Sequence, residues 1–222
     1  MATTAVDLQT AHGSGQSGHG EHGHAGGHYT SMGIDSRKVG MWIFLASDCM
    51  FFGSLISTYM IYRGRADELF RNGQGNGPLP HEILDIPYTS VSAFVLLMSS
   101  LTMVLAVSSL QRNDLRRCRI WILATATLGA CFLGGQIYEF TAFVREGLGY
   151  TTNIFSSAFF TLTGFHGAHV AIGIIILMTM YALTFNGKLT SERSETLEIA
   201  GLYWHFVDVV WVVIFVVVYL IH

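Results

Sequence analysis

Apolar residues run along this chain in five long stretches, roughly 39–62, 88–110, 120–143, 155–185 and 199–221. Each holds at most one carboxylate and no lysine or arginine. A helix needs about 20 predominantly apolar residues to cross a hydrocarbon core, so the pattern predicts an all-α, polytopic membrane protein with five transmembrane helices. The second stretch carries no charge at all and can face lipid over much of its surface. Between the stretches lie a Gly-, Asn- and Pro-rich loop over 63–87, a basic cluster of Arg112, Arg116, Arg117 and Arg119, and a charged turn over 188–198. Residues 1–36 are rich in Gly, His, Ser and Thr without helical or strand period, and are expected to be a disordered tail ahead of a transmembrane domain over 37–222. The first apolar run begins only after Arg37 and Lys38, so it reads as a true span and not as a signal peptide.

Composition sharpens this picture. Of 222 residues, 51% are hydrophobic and 12% charged, which is about half the charge density of a soluble domain. The net charge of −3 and the absence of a basic stripe with interleaved aromatics exclude nucleic acid as a partner. Cys49, Cys118 and Cys131 show no paired spacing, so neither a disulfide nor a zinc site is expected. Lysines and arginines set the orientation, because basic loops stay on the cytoplasmic side. Eight of the twelve (Arg37, Lys38, the four arginines 112–119, Lys188 and Arg193) lie on one side, and Arg63, Arg65, Arg71 and Arg145 lie on the other. The N-terminus is therefore placed in the cytoplasm and the C-terminus outside.

Ionisable groups inside the spans carry the chemistry, since each costs about 2.5–3.5 kcal/mol at the bilayer centre and needs a protein partner or water. Asp48 lies ten residues past Lys38, about 15 Å deep at the helical rise. It is read either as a proton-handling carboxyl or as an acid bonded across a helix interface. Glu139 follows Gln136 by three residues, so the two share a face and can join one polar cluster. For Glu139 a hydrogen-bonding helix-end role is preferred. The fourth stretch contains FHGAHV, with His166 and His169 on one face, and the pairs Gly164/Ala168 and Gly167/Ala171 allow close helix packing. Two histidines alone fall short of a metal site, and no further ligands of suitable spacing stand nearby. In YWHFVDVVW, His205 and Asp208 are three apart, flanked by Trp204 and Trp211; the preferred reading is an internal ion pair that fixes helix register. The tail histidines His12, His19, His22, His24 and His28 could hold a divalent metal loosely, and incidental low complexity is the plainer reading.

Five ordered motifs, GMWIFLASDCMFF, IPYTSV, QIYEF, TGFHGAHVAIG and YWHFVDVVWVVIFVVVYL, one per helix, make the chain similar to subunit III of the haem-copper terminal oxidases. That family comprises the cytochrome c oxidase and cytochrome o ubiquinol oxidase versions, and the form here has five helices, without the first two of the seven-helix mitochondrial version. The resemblance implies an accessory subunit without haem or copper of its own, those cofactors residing in partner subunits. It implies packing against catalytic subunit I, association with subunit II, and phospholipid in the cleft between its first two helices and the rest. It further implies support of proton uptake, with the intramembrane acid of the first helix at Asp48, where mitochondrial relatives carry the longer glutamate. Asp48, Gln136, Glu139, His166, His169, His205 and Asp208 fall on the family's polar interior positions. Arg63, Arg65, Trp42 and Trp204 are the candidates for lipid contact.

Two other classes compete. A small proton-coupled transporter could use Asp48 and Asp208, but the helices show no internal repeat, and all three prolines (Pro78, Pro80 and Pro87) fall in the first loop. A lipid-binding scaffold without influence on turnover needs only grooves and interfacial basic groups. The electron donor, cytochrome c or a quinol, is open at this point, with cytochrome c preferred, as is membership of a larger respiratory supercomplex.

Overall fold

The computed structural model describes residues 36–73, 86–185 and 194–220. The helices are α1 (Ser36–Arg71), α2 (Ile86–Gln111), α3 (Leu115–Arg145), α4 (Ile154–Phe185) and α5 (Ser194–Phe215), the last continuing into a π-helical turn, Val216–Leu220. All five are long and apolar enough to cross a membrane, and no strand occurs among the described residues. The protein is therefore all-α and polytopic. The histidine-rich segment and Lys188, Arg193, Pro78 and Pro80 lie outside the described residues.

Helix ends depart from the hydropathy pattern where polar groups supply local support. α1 runs nine residues beyond Tyr62 to Arg71 instead of yielding to a loop at Arg63. Ala66 is buried there, and Arg63 Nη1 donates to the Val217 carbonyl of the π-turn at 3.2 Å, which anchors the added turns. α3 starts at Leu115 because the Asp114 side chain caps it, accepting from the Arg117 N–H at 3.1 Å. Asn113 precedes it at φ 60°, a left-handed value that asparagine tolerates in a tight helix–helix turn. Pro87 sits in the first turn of α2, where its missing N–H costs no hydrogen bond.

α5 is the axis of the bundle. Half of its apolar window is buried, against 11% for α1. It packs on α1, α2 and α4, while α2 packs on α3, α3 on α4, and α1 on α4. α1 and α2 both pack on α5, but their second neighbours differ, α4 for α1 and α3 for α2, and they share no extended contact with each other among the described residues.

Glycine sockets let large α5 side chains reach the far helices. The Trp204 indole lies where a Cβ at Gly129 of α3 would come within 2.5 Å and one at Gly173 of α4 within 2.8 Å. Its Nε1–H donates to Ser99 Oγ of α2 at 2.9 Å. One side chain therefore touches three other helices. Without a hydrophobic drive between helices in lipid, such close packing and interhelical hydrogen bonding hold the bundle.

One end of the bundle is clasped twice. At one face Lys38 Nζ meets Glu198 Oε2 at 2.9 Å and Gln111 Nε2 donates to Glu198 Oε1 at 3.0 Å, tying α1, α2 and α5. At the same face Arg119 caps the C-terminus of α4, donating to Thr184 Oγ1 at 3.0 Å and to the Thr184 carbonyl at 2.7 Å, with its guanidinium over the Phe185 ring.

Trp204→Ala is expected to destabilise the bundle by about 3–5 kcal/mol, and Trp204→Phe by clearly less. Melting of the detergent-purified protein checks this; an unchanged midpoint in Trp204→Ala would remove the indole as the central wedge.

Candidate functional site

The intramembrane polar side chains described below form five separate junctions, each joining particular helices. On the α1–α4 side, Asp48 Oδ2 lies 3.7 Å from His169 Nε2, with the two side chains 15% and 16% exposed. That is an ion-pair distance and too long for a hydrogen bond. Asp48 Oδ2 has no hydrogen-bond partner. His169 Nδ1 lies 2.8 Å from the Phe165 carbonyl, which can only accept, so Nδ1 carries a proton and Nε2 is the nitrogen turned to Asp48. Tyr203 of α5 donates to the His169 carbonyl at 3.1 Å, and the Phe52 ring stands edge-on to the imidazole. The sequence alone did not single out Tyr203 or Phe52, whose roles depend on which helix α4 meets.

His166 is fully buried, with Nε2 3.2 Å from the Val207 carbonyl of α5 and its ring against Trp211 and Phe132. The two histidines of FHGAHV thus serve different neighbours: His166 faces α5 and His169 faces α1. Each commits one nitrogen to a backbone carbonyl, and among the described residues no three His, Cys, Asp or Glu side chains gather around a point that could hold a metal.

The expected His205–Asp208 pair is not formed. His205 Nδ1 is taken by Ser100 Oγ of α2 at 2.5 Å, next to the Ser99 hydroxyl that receives Trp204. Spacing of i, i+3 permits contact along one helix, but a hydroxyl on the adjoining helix captures the imidazole. Asp208 is buried near Ser100, with neither carboxylate oxygen hydrogen-bonded. The two serines, the receiving half of this junction, carried no signal in the hydropathy pattern beyond their neighbourhood in one apolar helix.

Gln136 and Glu139 share a face of α3 yet serve different helices. Gln136 Nε2 donates to the Thr163 carbonyl of α4 at 2.7 Å, and its Oε1 occupies the space that a Cβ at Gly167 would need. Glu139 Oε1 accepts from Thr89 Oγ1 of α2 at 2.7 Å and from the Tyr219 hydroxyl of the π-turn at 3.1 Å. Tyr219 escaped sequence reading because a π-turn rotates its side chain away from the α-helical register.

Among the lipid candidates, Trp204 is a correction: its indole is sealed among α2, α3 and α4, where no lipid reaches. Arg63 is half-buried and spends one donor on the Val217 carbonyl. Trp42, 61% exposed, and Arg65 remain at the surface.

Five helices long and apolar enough to span a membrane, with interior acids, amides and imidazoles tying helix to helix, define a polytopic membrane protein. The sequence matches the family model for cytochrome c oxidase subunit III over residues 19–222, and the chain belongs to that family. Cytochrome c oxidase subunit 3 of Bacillus sp. (strain PS3) is 40% identical over 185 residues, covering 83% of this chain and 86% of that protein. Quinol oxidase subunit 3 of Bacillus subtilis (strain 168) is 37% identical over 204 residues, covering 91% and 96%. Cytochrome bo(3) ubiquinol oxidase subunit 3 of Pseudomonas aeruginosa is 36% identical over 181 residues, covering 82% and 83%.

In a double-mutant cycle of Tyr219→Phe with Glu139→Gln, the coupling is expected to be about 0.6 kcal/mol, the average for such bonds inside membranes. Unfolding of the purified protein measures it, and zero coupling would show that the tyrosine does not support the carboxylate.

Proposed function

We propose that this chain is a non-catalytic accessory subunit of a proton-translocating haem-copper terminal oxidase in aerobic electron transport. In this role it stabilises the catalytic subunit, binds phospholipid and sustains proton uptake. The observation that carries the reading is the family match from residue 19 to residue 222, which leaves little of the chain for an unrelated activity. The haem and copper that supply the redox chemistry belong, in this reading, to subunits I and II. The membrane is the bacterial plasma membrane, with the N-terminus cytoplasmic, as the lysine and arginine bias argues. A place in a larger respiratory supercomplex is compatible with the broad exposed apolar surface of α1.

Cytochrome c is the preferred electron donor. A second reading, a quinol-fed complex, is favoured by the quinol oxidase relatives, whose identities of 36–37% stand close to the 40% of the cytochrome c oxidase relative. Mild-detergent purification from the native membrane separates them. A haem-bearing partner together with a copper-bearing second subunit supports cytochrome c, and a second subunit without copper supports quinol. Recovery of the chain alone and spectrally silent would sink the oxidase reading and revive the transporter.

The proton role rests on Asp48, a mid-span acid with the imidazole of His169 3.7 Å away. Asp48→Asn is expected to leave assembly intact and to slow oxidase turnover selectively at alkaline pH, where protons are scarce. Turnover measured across pH checks this; a profile identical to the parent's would reduce Asp48 to packing.

A further inference from the structure

Two furrows on the outside of α3 and α4 take no part in the interior junctions. One, of about 510 Å³, runs along Ile137, Phe140, Thr141 and Val144 and ends at Arg145. The other, of about 330 Å³, runs along Thr161, Gly164, Phe165 and Ala168. Tyr150 and Phe160 border both, so the furrows lie side by side, parted by two aromatic rings. Their walls are apolar because the hydroxyls of Thr141 and Thr161 turn back to carbonyls of their own helices, each at 2.7 Å. The Tyr150 ring is tethered where it stands, its hydroxyl 3.1 Å from Thr161 Oγ1.

Charge marks the open end. Arg145 closes α3 at the level where the chain leaves the membrane, is exposed, and makes none of the salt bridges among the described residues. Glu146, next in the chain, is exposed too. A guanidinium matches a phosphate in two parallel hydrogen bonds, and the adjacent carboxylate opposes a purely anionic head group while matching an ammonium.

We propose that this face binds one diacyl phospholipid with an amine head group. One acyl chain lies in each furrow astride Tyr150 and Phe160, the phosphate sits on Arg145, and the ammonium lies toward Glu146. Both furrows fall within the range of about 300–1,000 Å³ typical of small-molecule sites, and two parallel apolar channels beside one cation match two tails and one phosphate. The site deepens the lipid-binding part of the proposed function and stands apart from Trp42, Arg63 and Arg65.

Gly164 provides the test. A side chain added there meets nothing within 4 Å, so Gly164→Leu fills the smaller furrow without a clash inside the protein. The whole oxidase complex, purified in mild detergent and delipidated, is titrated with phosphatidylethanolamine and separately with phosphatidylglycerol, and bound lipid is counted by native mass spectrometry. The parent is expected to hold one phosphatidylethanolamine that Gly164→Leu and Arg145→Ala bind about tenfold or more weakly, the scale of a lost charge-assisted hydrogen bond. Arg71→Ala, at an exposed arginine given no part in lipid contact, should bind it as the parent does. Equal binding in the parent and both furrow variants overturns the site, as it would if another subunit's helix covered this face. A loss confined to Arg71→Ala also overturns it, while leaving lipid binding by the subunit standing. Phosphatidylglycerol bound as tightly as phosphatidylethanolamine overturns the amine assignment.

Discussion

Trp204 reaches Gly129, Gly173 and Ser99, on three different helices, from a fourth. In water a bundle of this size could rely on burying apolar surface, but lipid tails are as apolar as leucine, and the drive for helices to associate must come from fit and from polar contacts. A single indole lodged against two glycines supplies fit to α3 and α4, and its N–H supplies a polar contact to α2. α5 consequently becomes the buried axis, and the positions of His205, Asp208 and Trp211 along it are set by where Trp204 is seated. α1, the least buried helix, is attached later in this hierarchy through His169, Tyr203, Arg63 and the Lys38–Glu198 pair.

The interior polar groups follow a common economy. Each costs free energy in the hydrocarbon unless it is satisfied, so several are placed where a neighbouring helix offers a partner. Gln136 uses a bare carbonyl at Thr163, Glu139 uses two hydroxyls, and His166 uses the Val207 carbonyl. The outcome is a set of junctions, α1–α4, α2–α5, α3–α4, α4–α5 and α2–α3–α5, with no metal-binding cluster among the described residues. Such a distribution braces helix against helix across the bundle.

Family membership was legible in five short motifs, and the five spans were legible in hydropathy, because each must supply its own backbone hydrogen bonds and its own apolar length. The acids and histidines were legible too, since an ionisable residue within an apolar run stands out. Their partners were not. Nothing in YWHFVDVVW reveals that His205 turns to Ser100 and leaves Asp208, and nothing in the last turn of α5 reveals that a π-turn brings Tyr219 to Glu139. Trp204, read as a candidate for lipid contact, is the core of the bundle, because tryptophan has the same composition signal on a lipid-facing surface and in a glycine socket.

By itself, then, the sequence determined the number of spans, their approximate limits, the family and the residues expensive enough to require explanation, because these depend on local length, composition and order. Tertiary structure alone decided that α1 and α2 both pack on α5 and not extensively on each other, that Gly129 and Gly173 make room for one indole, and which hydroxyl or carbonyl the paired polar groups meet. The physical reason is that helical periodicity specifies which side chains share a face, whereas the helix that face meets is chosen by packing among all five.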